Sequence, residues 1–272
     1  MSVVRHEVLS AEKAEAYRGT FAPDDAPVAA GEPLHPAWEG VYFGFDAAFA
    51  DLRPDGTPAR DGVLPEIDLP RRMYAGEDTE FLRSLRVGDR VEQTARLGAV
   101  SEKSGSSGRL VFADIVREYA VDGEVAVRTT WHDVFLGEPD PSAAVREPRR
   151  DGDAATSAHW HDDLTLDARQ LFRFSALTFN THLVHYDRTW AREVEGLSDL
   201  LVHGPLTRIV LMDAARRHTP DRSARALQLR SVAPIFVNQP VRIVGSNDGD
   251  LTHVTALGQD DTVLATAQIT WS

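Results

Sequence analysis

Residues 90–136 constrain the fold more than any other part of the chain. Three segments, RVEQTARLGAVSE (90–102), GRLVFADIVREYAV (108–121) and EVAVRTTWHDVFL (124–136), alternate in polarity or are rich in β-branched residues. Only the turn sequences KSGSSG (103–108) and Asp122-Gly123 lie between them, so the three predict an antiparallel meander of long strands. Strand patterning returns in ARALQLRSVAPIF (224–236), VRIVGSND (241–248), LTHVTALGQ (251–259) and TVLATAQITW (262–271).

One helix stands out between the two groups of strands. In HGPLTRIVLMDAARRH (203–218), Leu206, Ile209, Val210, Asp213 and Ala214 fall at helical spacing, and all but Asp213 are apolar. Pro205 suits a first turn, Arg216, Arg217 and His218 suit a last turn, and Pro220 stops the helix. A sheet wrapped around this helix would explain its apolar RIVLM run. The first thirty residues read as a helix followed by a loop. WEGVYFGF (38–45) reads as a short buried helix, and LTLDARQLFRFSALT (164–178) as a renewed strand.

Residues 137–158, rich in Pro, Gly, Ala and charge, form the best linker in the chain. The expected organisation is an amino-terminal unit over 1–145, a linker over 146–158 and a carboxy-terminal unit over 159–272. Faint echoes support a duplication: LRVGDRVEQTARL against IFVNQPVRIVGS, and DGEVAVRTTWHDV against DDTVLATAQITW.

At 272 residues the chain can bury two substantial cores. Its net charge of −13 argues against a nucleic-acid partner, though local Arg clusters would still accept an anionic ligand. With no cysteine, disulfides, thiolate metal sites and cysteine nucleophiles are excluded. No signal-like apolar run opens the sequence and no stretch reads as a membrane span, so a cytoplasmic protein without a membrane partner is expected.

The chemistry concentrates in FNTHLVHYD (179–187), where an amide, two imidazoles and a carboxylate lie close together. An imidazole suits proton transfer near neutral pH. An oxyanion needs backbone N–H groups at a helix start, and HGPL offers those of Gly204 and Leu206, because Pro205 has none. His182, His185 and Asp187 also match a two-His-one-carboxylate metal set, but ligand type alone is permissive, and no metal is assigned. Asp187 has two readings, a site residue or the cap of DRTWAREVE. His203 reads as a helix-start or core residue, and His159 and His161 as solvated. No phosphate loop, nucleophile elbow or dinucleotide fingerprint is present, so no redox cofactor is implied.

The carboxy-terminal half resembles the MaoC-like, hotdog-fold enoyl-thioester hydratases and dehydratases. Their motif runs Asp, any residue, Asn-Pro, an aliphatic residue, His, any residue and an acid. Its His falls on His185, its acid on Asp187, and the family's helix-start glycine on Gly204. Asn180 stands where the motif has Asp, and His182 where it has Asn. FRFSALTFNTHLVHYD followed by LVHGPL instead resembles the branch of mitochondrial 3-hydroxyacyl-thioester dehydratases and bacterial mesaconyl-C4-CoA hydratase-like proteins. LPRRMYAGEDTEFLRSLRVGDRV (69–91), SEKSGSSGRLVF (101–112) and REYAVDGE (117–124) resemble the first unit of the bacterial group, so the likeness covers most of residues 35–272.

The resemblance implies an α+β double hotdog, each unit an antiparallel sheet around a central helix, with the first helix degraded and the first unit shaping an acyl tunnel. It implies reversible hydration of an enoyl-CoA with His185 as acid/base, Asn180 and His182 positioning water or the imidazole, and the Gly204 amide holding the enolate oxygen. Arg71, Arg72, Arg173, Arg208 and Asp187 form the candidate substrate-binding set: Arg71 and Arg72 for CoA phosphates or an acyl carboxylate, or equally as surface charges on a loop, and Arg173 and Arg208 for the acyl carboxylate. The CoA thioester is the substrate, and no separate cofactor is expected. Mesaconyl-C4-CoA, giving citramalyl-CoA, is the favoured substrate, with itaconyl-CoA close to it. A 3-hydroxyacyl-ACP dehydratase, a thioesterase and a non-catalytic acyl-thioester-binding subunit are the alternatives. Hotdog units commonly pair, so a homodimer is among the expected states.

Overall fold

The two halves of the chain build the same five-stranded arrangement and meet edge to edge. The structure is a computed structural model that describes residues 2–58, 62–105, 108–138 and 148–272. The first half contributes β1 (Ser2–Val8), β2 (Arg71–Phe81), β3 (Arg90–Gly105), β4 (Gly108–Val121) and β5 (Glu124–Leu136). The second contributes β6 (Trp160–Leu164), β7 (Ala224–Ser231), β8 (Val241–Asp248), β9 (Leu251–Leu257) and β10 (Val263–Trp271). The spatial order is β1-β3-β4-β5-β2-β7-β10-β9-β8-β6, one continuous sheet of ten strands. Each half therefore repeats the other about the β2–β7 seam, where Gly76 to Glu80 pair antiparallel with Arg230 to Ala226.

The repeat extends to single hydrogen bonds. Gly88 (φ 98°) and Asn238 (φ 60°) both sit in the left-handed region at the turn before β3 or β8. Their N–H groups donate to Leu9 O at 2.8 Å and to Leu166 O at 2.7 Å. Leu34 N–H donates to Leu85 O and Val202 N–H to Ile235 O, both at 2.8 Å. The faint sequence echoes are thus a two-fold repeat of backbone geometry.

The helix expected over 203–218 is α4 (Gly204–Arg217), with Leu206, Ile209, Leu211, Met212 and Ala214 buried under the second half's strands. Its one acidic residue, Asp213, is buried and accepts from Trp38 Nε1 at 2.8 Å and Tyr17 Oη at 3.2 Å. Burial pushes the Asp213 carboxyl up to about 6. In the first half, the place of α4 is taken by a single 3-10 turn, Trp38–Val41, bracketed by Ala37 (φ 72°) and Phe43 (φ 56°), whose left-handed backbones cannot continue a helix.

Three expectations are corrected. A short strand, β1, precedes the first helix, α1 (Ala11–Phe21), pairing with β3 from Ser2↔Arg96 to Val8↔Arg90. Most of residues 164–178 form a helix, α3 (Ala168–Thr178), rather than a strand. A capping box between Asp167 and Gln170 starts it, and Leu171, Phe174, Ser175 and Thr178 form its buried stripe. The stretch expected as linker lies outside the described residues over 139–147, but 148–158 is docked. There Val263 N–H donates to Arg149 O at 2.8 Å, Asp151 caps α2 (Gly152–Thr156), and Ala154, Ala155 and Ala158 pack on Val244, Leu257 and Val263.

Candidate active site

The loop after α3 is shaped by its own backbone and clamped by the first half. Phe179 closes α3 in the left-handed conformation, φ 51°, and Asn180 N–H returns to Ser175 O at 2.8 Å. Asn180 Oδ1 accepts from His182 N at 3.0 Å, an Asx turn that holds the loop. Leu183 N–H donates to Asp55 O at 2.8 Å, and Thr181 Oγ1 to Gly56 O at 2.6 Å. Gly56 is required there: its φ is +84°, and a Cβ would lie 1.9 Å from Thr181 O.

His185 ends a 3-10 turn, Leu183–His185, and is buried. Its Nδ1 lies 2.8 Å from Leu201 O. A carbonyl only accepts, so Nδ1 carries the proton and Nε2 keeps a lone pair. Burial, then the charge of His182, holds the His185 imidazole down to about 3. Burial, then Arg72 and Arg53, holds His182 down to about 4. Both rings are therefore neutral bases at neutral pH. His203 stacks on His185 with ring centroids 3.6 Å apart, and its Nε2 meets Ser175 Oγ at 2.8 Å. His203 also precedes the first turn of α4, so the two imidazoles sit where that helix presents its free N–H groups.

A cavity of about 330 Å³ opens here between the two halves. Asn180, His182, His185 and Gly204 line it from the second half, and Arg71, Arg72 and Tyr74 from the first. A Cβ on Gly204 would strike the Tyr74 ring at 2.1 Å, so the glycine admits that ring against the helix start. Tyr74 in turn packs edge-on against Trp131, centroids 4.6 Å apart. The arrangement supplies a neutral imidazole with a free lone pair, an amide, and helix-start N–H donors around one space.

The other candidate residues fall in different places. Arg71 donates through Nε to Gly137 O at 2.8 Å, and Arg72 pairs with the buried Asp133 at 2.6 Å; both stay on the cavity wall. Arg208 is buried, paired with Glu39 at 2.5 Å and Glu77 at 3.4 Å, and lines an adjoining pocket instead. Arg173 is exposed on α3 and lines neither cavity. Asp187 accepts from Trp190 N at 2.9 Å and so caps the following turn. His182, His185 and Asp187 do not gather at metal-ligand spacing. Among the described residues it is Asp55, His182 and Glu195 whose ligand atoms lie within 4.8 Å of one another. Tyr74, the Leu201 carbonyl and the 53–58 clamp had no signal in the local sequence, because each reaches the site from far along the chain.

The model of hydroxyacyl-thioester dehydratase type 2 matches residues 37–237. The chain belongs to the hydroxyacyl-thioester dehydratase type 2 family. As a member it is an enzyme of the hydratase/dehydratase kind. It is 36% identical over 257 residues to the mesaconyl-C(4)-CoA hydratase of Chloroflexus aurantiacus, covering 94% of this chain and 90% of that one. Its fold matches HtdX of Mycobacterium tuberculosis with a TM-score of 0.70 at 15% identity, covering all of both chains. A second Mycobacterium tuberculosis structure, described as a double hotdog, matches with a TM-score of 0.65 at 14% identity, over 100% of this chain and 95% of that one. The architecture of this dehydratase family member is thus a double hotdog of the MaoC-like kind.

Proposed function

We propose that the protein adds water reversibly across the double bond of a short, carboxyl-bearing enoyl-CoA, with mesaconyl-C4-CoA as substrate and citramalyl-CoA as product. The observation that carries this is an arginine, Arg117, in a pocket that shares a wall with the cavity. Phe45, Pro58, Arg72, Trp131, Asn180 and Pro205 line both the 330 Å³ cavity and an adjoining pocket of about 200 Å³. Gln93, Glu77, Arg117 and Arg208 also line the adjoining pocket, beside Ile115 and Tyr119. Arg117 stacks over Trp131 at 4.6 Å and makes no ion pair among the described residues. Burying a long alkyl chain here would strip the Arg117 guanidinium of water with no ion pair to replace it. A short acyl group with its own carboxylate complements a free guanidinium.

The chemistry follows from the tautomer. Water attacks the β-carbon while His185 Nε2 takes its proton. The electron pair of the double bond moves through the α-carbon onto the thioester oxygen, where the Gly204 N–H holds the growing charge. The imidazolium then returns its proton to the α-carbon, and neutral His185 is regenerated. Asn180 cannot take a proton; with Oδ1 engaged by His182 N, its NH₂ group is left to orient the water. The reading also draws on the mesaconyl-C(4)-CoA hydratase, which is 36% identical to this chain over 257 residues.

The test gives purified protein mesaconyl-C4-CoA, itaconyl-CoA, crotonyl-CoA and a long-chain enoyl-CoA, with Arg117→Leu beside wild type. Preferred hydration of mesaconyl-C4-CoA, with Arg117→Leu shifting preference towards crotonyl-CoA, is expected. Preference for the long chain would overturn the substrate class.

A further inference from the structure

We infer that the protein carries a second, non-catalytic binding site for a CoA-type phosphorylated ligand, at the pseudo-symmetric counterpart of the catalytic cavity. The two-fold repeat maps the walls of one onto the other. Val232 and Ala233 N–H donate to Leu264 O at 2.9 and 3.0 Å beside the catalytic cavity. Leu82 and Arg83 N–H donate to Ala126 O at 2.9 and 3.1 Å beside a cleft of about 520 Å³. The hydrogen-bond match of Leu34 with Val202 places His35 where the second half has His203, and Pro36 where it has Gly204. Both His35 and Pro36 line the cleft.

The counterpart has lost the catalytic parts. Pro36 has no N–H, so the oxyanion donor is gone. Beside His35, at 3.9 Å, stands the Asp25 carboxylate, and it is already paired with Arg216. It has gained positive charge instead. In a chain of net charge −13, Arg83, Arg216, Arg217, Arg222 and Arg225 all face this cleft.

Two of these guanidinium groups are available. Among the described residues Arg222 meets only the 80% exposed Asp250, at 3.3 Å, and the carbonyl of Gly249. Arg225 makes no ion pair among the described residues. It is also the residue skipped between Ala226↔Thr270 and Ala224↔Trp271, as Ala75 is skipped between Gly76↔His132 and Tyr74↔Asp133. The same bulge thus aims Ala75 at the catalytic cavity and Arg225 at the cleft. A cleft shaped like a thioester site, without the means to turn one over and with free guanidinium groups, fits the phosphates and arm of CoA. The choice of CoA rests on the proposed function; the geometry of the cleft does not.

Equilibrium dialysis with free CoA tests this on wild type and on Arg222→Glu/Arg225→Glu, with inorganic phosphate as competitor and hydration measured in parallel. Two CoA per chain are expected in wild type. In the double variant one of them binds at least about tenfold more weakly, while kcat is unchanged, which also shows that the variant folds. His185→Ala keeps both. A single CoA per chain in an active wild type, or two in the variant with undiminished affinity, would overturn the second site and leave the proposed activity standing. Two CoA bound with no hydration would overturn the activity alone. Displacement of the second CoA by equimolar phosphate would reduce the site to a simple anion hole and overturn its assignment to CoA.

Discussion

His203 lies flat against His185, ring centroids 3.6 Å apart and planes 21° from parallel. The stack holds the face of the His185 ring, while Leu201 O holds its edge at 2.8 Å. In the proposed mechanism His203 is therefore a positioning residue. Its replacement by Leu is expected to lower kcat by roughly tenfold, in line with the cost of a misplaced acid/base group, with little change in KM. Steady-state kinetics checks this, and a fall in stability with unchanged kcat would assign His203 to packing alone.

Activity should be nearly independent of pH through the neutral range. His185 is held down to about 3 and His182 to about 4, so both stay neutral as the pH falls through 6.5, where an ordinary imidazole would gain a proton. A kcat profile flat from about pH 5 to pH 8 is expected. A descending limb near the ordinary imidazole value would place the working base elsewhere.

Stability should depend on pH where activity does not. These two folded-state values lie below the unfolded 6.5, so between them the unfolded chain binds more protons. Their stabilising effect is complete above 6.5 and is lost as pH falls towards 3 to 4. Asp213 has the opposite sign: raised from 3.8 to about 6, it favours folding at low pH and loses that effect as pH rises through 6. Urea unfolding should show Asp213→Asn gaining more stability above that value than below 3.8.

Gly204→Ala should be severe for a steric reason. The added Cβ meets Tyr74 Cδ1 at 2.1 Å, so the ring must leave its seat against Trp131 or α4 must shift. A loss of kcat of about 10²-fold is expected, the scale of a misaligned oxyanion donor. Gly204→Ala combined with Tyr74→Ala should recover part of it.

Local patterns made some of this structure legible in the sequence. The meander followed from alternation and two short turns, and α4 from its apolar spacing, Pro205 and basic end. The close spacing of Asn180, His182 and His185, and the helix start at Gly204, pointed to residues that the fold brings to one cavity. The aromatic run FRFSALTF hid α3, although Asp167 and Gln170 were spaced as a capping box. Strand β1 was hidden because it is short and only half-buried along its length. Tyr74 reaches Gly204, and Asp55 reaches Leu183, across more than a hundred residues, and no local pattern records such contacts.

The central claim, water addition by a neutral His185 rather than thioester cleavage, is tested most directly by one incubation in heavy-oxygen water. Wild type and His185→Ala are given mesaconyl-C4-CoA, and the products are resolved by mass spectrometry. The account predicts heavy oxygen in the hydroxyl of an intact citramalyl thioester, and none from the variant. Heavy oxygen in a released carboxylate, with free CoA, would contradict it.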